Sequence, residues 1–103
     1  MESVIDLTEV VAHEIADYVA IGVYEADTYL MRDDARRAYS FVSVPHDHLK
    51  TPLVVMLARL TDDNKVIIET DHTDRPLYRS LIEAGVPRSQ IIRAYAGKTE
   101  PEP

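Results

Sequence analysis

The 103-residue chain has no cysteine and no tryptophan, one phenylalanine and three glycines. The missing cysteine excludes a disulfide scaffold, a Cys-ligated zinc site, a thiolate nucleophile and an iron–sulfur cluster. With so few glycines, Gly22, Gly85 and Gly97 form no phosphate-cradling loop. No serine sits in a Gly-x-Ser-x-Gly elbow, which removes the sequence signal for a serine nucleophile. The longest apolar run, Leu53 to Ala58, is far too short to span a bilayer. Met1, Glu2 and Ser3 are unlike the basic flank and apolar stretch of a signal peptide, so a cytoplasmic protein is expected.

Positive charge is also scarce. Eighteen acids against eleven bases give a net charge of −7. Residues 1–34 hold nine acids against one base, Arg32, for a net of −8; residues 35–60 carry +3. The bulk field opposes nonspecific nucleic-acid binding by the isolated chain and suits a basic partner surface. At 46% hydrophobic and 28% charged, the composition is that of one folded domain, expected over residues 1–97. A domain of this size gains from self-association, so a homodimer is a further expectation.

Val4, Leu7, Val11, Ile15 and Tyr18 recur at spacings of three and four and predict an amphipathic helix over about 4–20. Ser3 is the expected N-cap and Gly22 the stop. Thr28–Met31 and Tyr39–Val44 are rich in β-branched and aromatic residues around the polar turn Asp33-Asp34-Ala35-Arg36-Arg37, which reads as a hairpin. A proline-bracketed loop, 45–52, separates it from a second hairpin, Leu53–Leu60 and Lys65–Glu69, turned by Asp62, Asp63 and Asn64. Thr73 or Asp74 is the expected cap of a second helix, with Pro76 in its first turn and Leu77, Leu81 and Ile82 as its buried stripe. Gly85 and Pro87 end it; Ile91 and Ile92 open a short last segment, helical or extended. The tail, residues 98–103, is polar and proline-rich and is expected to be disordered. The class is α+β: an N-terminal helix, an antiparallel sheet of about four strands from two hairpins, and a C-terminal helix packed on it.

Three clusters have chemical potential. His46-Asp47-His48, with His72 and Asp71, has ligand types for a metal, although solvated His and Asp are ordinary in a proline-bounded polar loop and are the preferred reading. Glu69, Asp71 and Asp74 put three carboxylates at a strand-to-helix junction, where helix capping competes with acid–base or Mg²⁺ chemistry. Asp33, Asp34, Arg36 and Arg37 form either a recognition tip or a solvated turn. Arg88 and Arg93, with Tyr95, are too few against the acidic background to predict nucleic-acid binding. No cofactor and no catalysis are expected; a small metal-binding regulator or metal-dependent enzyme on His46, His48, His72 and Asp71 is the alternative.

Residues 65–74 and 81–92 carry a resemblance. Lys65-Val66-Ile67-Ile68-Glu69-Thr70-Asp71-His72-Thr73-Asp74 and Leu81-Ile82-Glu83-Ala84-Gly85-Val86-Pro87-Arg88-Ser89-Gln90-Ile91-Ile92, preceded by the Thr28–Tyr39 hairpin with its Asp33, Asp34 and Arg36, resemble the XisI family in order and spacing. The motif positions are Asp33, Asp34, Arg36, Tyr39, Lys65, Asp71, Thr73, Gly85, Pro87 and Ile91. Two departures stand out: Val44-Pro45 replaces the family's Gly-Trp, and Ile67 replaces an aromatic. The resemblance implies a non-catalytic accessory factor, of the kind controlling excision of the fdxN element in nitrogen-fixing cyanobacteria. It also implies an XisH-like protein as partner, with a separate recombinase performing the DNA chemistry.

Overall fold

A computed structural model describes residues 6–102. Its elements are α1 (Leu7–Ile21), β1 (Ala26–Asp33), β2 (Ala38–Pro45), β3 (Leu53–Leu60), β4 (Val66–Asp71), α2 (Leu77–Glu83) and β5 (Ile91–Arg93), with short 3₁₀ turns at Arg88–Gln90 and Ala94–Ala96. The five strands form one sheet in chain order, antiparallel except for the parallel β4–β5 pair. The expected sheet of about four strands is therefore extended by one. Ile91 and Ile92 settle as strand because, after α2 has crossed the sheet, they pair with Val66 and Ile67. The predicted α+β class is the observed one.

Both helices contribute to a single core. Leu7, Val11, Ile15 and Tyr18 from α1 and Leu77 and Leu81 from α2 meet Tyr39 and Phe41 of β2, Met56 and Ala58 of β3, Val66 and Ile68 of β4, and Ile91. Full burial of each large aliphatic side chain contributes roughly 1.5–3 kcal/mol, so this stripe-on-sheet contact supplies most of the driving force. A polar tie joins the two helices. The Tyr18 hydroxyl lies 2.7 Å from both Arg75 O and the buried Ser80 Oγ.

Bulges change the simple alternation. The register between β2 and β3 shifts at Phe41/Val42, leaving Val55 as an extra residue, and consecutive Val55 and Met56 are both buried. A second shift, at Leu57/Ala58, leaves Glu69 unpaired in β4. Val55 O accepts from His72 N at 2.8 Å, so the first bulge also anchors the exit from β4.

Several expected boundaries are corrected. Ser3 and Val4 lie outside the described residues. The side chain that caps α1 is Asp6, whose Oδ1 accepts from Glu9 N at 3.4 Å. Neither Thr73 nor Asp74 caps α2: Pro76 occupies the N-cap position with extended backbone (φ −60°, ψ 135°), and Asp71 supplies the acceptor from six residues upstream. Proline has no side-chain acceptor, so the orphan Leu77 N–H is met from the end of β4 instead. Gly85 ends α2 as expected, at φ 102°. Val86 N donates to Leu81 O at 2.9 Å and Gly85 N to Ile82 O at 3.0 Å, the paired bonds of a Schellman stop, with Val86 and Leu81 both buried. The segment after Gly97, expected not to pack, turns back: Lys98 N donates to Arg93 O at 3.2 Å, and Glu102 pairs with Arg93. A polar segment can pack where a half-buried cation gives it a partner.

Candidate functional site

The predicted metal set does not converge. His46 Nε2 lies 3.2 Å from Asp27 Oδ1 across the start of the first hairpin, and His48 is exposed in the following turn. His72 directly follows β4, on a concavity of about 370 Å³ lined by Tyr18, Ile21, Phe41, Val55 and Arg75. Among the described residues, His13, Glu14 and Asp17 on the outer side of α1 are the group whose donor atoms approach closely enough to share an ion, and none belongs to the predicted set. Helical spacing alone accounts for that cluster, because residues three and four apart are neighbours on a helix surface.

Asp71 is a structural carboxylate. Oδ1 accepts from Thr73 N at 2.9 Å and from Thr73 Oγ1 at 2.6 Å; Oδ2 accepts from Leu77 N at 2.8 Å. Thr73 Oγ1 also approaches Arg75 O at 2.8 Å. Both carboxylate oxygens are committed to the turn into α2. Glu69 is held by Arg59 Nε at 2.8 Å, so Glu69 and Asp71 are each committed to a separate partner.

The hairpin tip is equally interlocked. Asp33 accepts from Arg36 N at 3.1 Å and Arg36 Nη1 at 3.0 Å, and the bond from the Arg36 side chain is the main reason its carboxyl is held below the ordinary value. Asp34 Oδ1 accepts from Arg32 Nη2 at 2.8 Å and from the Tyr39 hydroxyl at 3.3 Å, with the Arg32 guanidinium 5.4 Å from the Tyr39 ring centre. Burial raises the Tyr39 phenol above its ordinary value. Arg37 adopts φ 54° and donates to Thr61 O, joining the tip of the first hairpin to the turn of the second. In that second turn Lys65 Nζ meets Asp63 Oδ2 at 3.0 Å, and Asn64, at φ 64°, accepts from Gln90 Nε2 at 3.0 Å.

The motif positions thus fall on turns, caps and core. Asp33, Asp34, Arg36 and Tyr39 build the first turn; Lys65 belongs to the second. Asp71 and Thr73 start α2, Gly85 ends it, Pro87 precedes the following 3₁₀ turn, and Ile91 pairs with Val66.

The surface left for recognition is the sheet face away from the helices. Directly paired residues share a face, and the register puts Tyr29 with Val42 and Val54, and Met31 with Ser40 and Leu57. Tyr29 is 44% exposed, Met31 51% and Val54 44%. Met31, Ser40 and Leu57 line a shallow concavity of about 260 Å³. Alternation along β1 adds Asp27 and Asp33 on the same side, one beyond each end of the Tyr29–Met31 pair. The result is an apolar strip with acidic ends. Sequence reasoning missed it because the strands read as sheet without showing which face the helices would leave bare.

The XisI protein family model matches residues 1–101. The chain belongs to the XisI family. Its fold is similar to that of a XisI-like protein from Anabaena variabilis, with a TM-score of 0.74 at 24% identity over 84% of this chain and 81% of that one. It is also similar to the fdxN element excision controlling factor XisI from the same organism, with a TM-score of 0.63 at 19% identity over 87% of each chain. A comparison with curated proteins finds no match. At these identities the two structures speak for the XisI fold. Among the described residues, no helix of this XisI-family chain is long and apolar enough to cross a membrane.

Proposed function

We propose that this chain is a non-catalytic accessory subunit that controls excision of a DNA element, or a related DNA rearrangement, by binding a partner protein. Two findings support the setting: membership of the XisI family, and a solved relative named as an excision controlling factor. The observation that carries the binding mode is the uncovered sheet face, where Tyr29, Met31 and Val54 stay about half exposed beside Val42 and Leu57. An apolar patch rimmed by charge is the usual form of a protein–protein contact, with the centre giving affinity and the rim giving orientation. The partner suggested by the family is an XisH-like protein, with an apolar centre and a basic group placed for Asp27. That partner, rather than this acidic chain, makes the DNA contact.

Co-expression with an XisH-like protein from the same genome tests this reading. A complex of fixed ratio that survives size exclusion is expected. If the chain elutes alone while both proteins are soluble and folded, the partner assignment falls.

A further inference from the structure

Against a net charge of −7, one concavity of the molecule gathers cations. Arg79 from α2, Arg88 from the 3₁₀ turn and Arg93 from β5 line a recess of about 390 Å³ with Tyr78, Ile82 and one acid of α2, Glu83. The Arg93 guanidinium stands 4.4 Å from the Tyr78 ring centre, and its side chain is only 25% exposed. Its carboxylate partner is Glu102, nine positions along the chain. Among the described residues, neither Arg79 nor Arg88 has a carboxylate within ion-pair distance. The recess therefore sets three guanidiniums, two of them without an ion-pair partner, against Glu83 and Glu102, and Glu102 comes from an acidic stretch with prolines on both sides.

We infer that this recess is a binding site for an extended acidic peptide segment of another protein, and that Glu102 occupies it as an internal competitor. The chemistry of the recess suits such a ligand. Guanidinium forks match carboxylates in geometry as well as charge. Tyr78 fixes the plane of Arg93, and prolines keep a peptide extended before it binds. Arg79 and Arg88 are placed to take a second carboxylate that the internal segment leaves unmatched. A polyphosphate backbone fits less well, because the acidic bulk of the molecule repels a long line of charge. The internal segment acts at an effective concentration in roughly the millimolar range, so it screens out weak ligands and yields to a segment with two or more well-placed acids. This site lies on α2 and β5, apart from the sheet face proposed for the partner, and the two readings stand or fall separately.

The test uses the full chain and a fluorescein-labelled peptide with the sequence of residues 98–103, read by anisotropy at low salt. The Glu102→Gln chain, with the competitor weakened, is expected to bind the probe about five- to tenfold more tightly than the unaltered chain. Adding Arg88→Gln, an exposed position that leaves melting temperature unchanged, should remove most of that affinity. Equal affinity of Glu102→Gln and the unaltered chain overturns the competitor role. Indifference to Arg88→Gln overturns the site. A labelled single-stranded DNA of matched charge that binds Glu102→Gln more tightly than the peptide overturns the assignment to an acidic protein segment.

Discussion

Asp71 shows how much a single side chain organises here. Its two oxygens take three donors and set the entry into a helix whose own N-cap is a proline. Asp71→Ala should lose about 2 kcal/mol of stability, measured by urea denaturation, because it leaves the Leu77 amide unmet and frees the Thr73 turn. Asp71→Asn, which keeps one carbonyl oxygen, should lose less. Tyr39 gives a prediction in pH. Its ring is fully buried, and burial raises the phenol above the ordinary value of 10.0. Folding stability from this group is complete below the unfolded value and is lost as pH rises through the folded one. Melting temperature should therefore fall as pH rises above the ordinary phenol value of 10.0, and less steeply in Tyr39→Phe. At neutral pH that variant loses about 1 kcal/mol with the bond to Asp34. Identical alkaline slopes would mean that another group governs the loss.

Among the elements, α1 and the two hairpins were legible because each repeats a period over many residues. The stripe Leu7, Val11, Ile15 and Tyr18 follows helical spacing, and Asp33 to Arg37 and Thr61 to Asn64 carry turn residues where the chain reverses. The α2 stop was legible for a different reason: Gly85 at φ 102° satisfies a backbone geometry that other residues adopt at a penalty. Gly85→Ala should destabilise the fold by about 1–2 kcal/mol in thermal or urea unfolding. What the sequence concealed is non-local. The cap from Asp71 skips six positions, β5 is three residues long and becomes a strand only beside β4, and the Val55 and Glu69 bulges follow from register between strands. Tail packing was hidden too, since Glu102 gains a place only because Arg93 and Tyr78 meet on separate elements. For the site, the His46, His48 and His72 reading rested on residue type without distance: His46 turns to Asp27 of β1, while His72 follows β4, with β3 between it and the loop that carries His46 and His48.

At the scale of the whole molecule, the helices cover one side of a twisted five-stranded sheet and leave the other to solvent. The family motif is spent on turns and caps that hold this one-sided arrangement, so the capacity for recognition lies on surfaces the motif does not mark. In the proposed complex the partner docks on the bare sheet face rather than on the outer side of α1. Isothermal titration calorimetry of an XisH-like protein against Met31→Glu and Asp17→Lys separates the two faces. Both positions are exposed, so both variants should keep the unaltered melting temperature. A buried charge facing an apolar contact should weaken binding by about 2 kcal/mol or more in Met31→Glu, with Asp17→Lys within a few tenths of the unaltered chain. Full affinity in Met31→Glu, or a loss confined to Asp17→Lys, would overturn the sheet-face proposal and move the interface to the helical side.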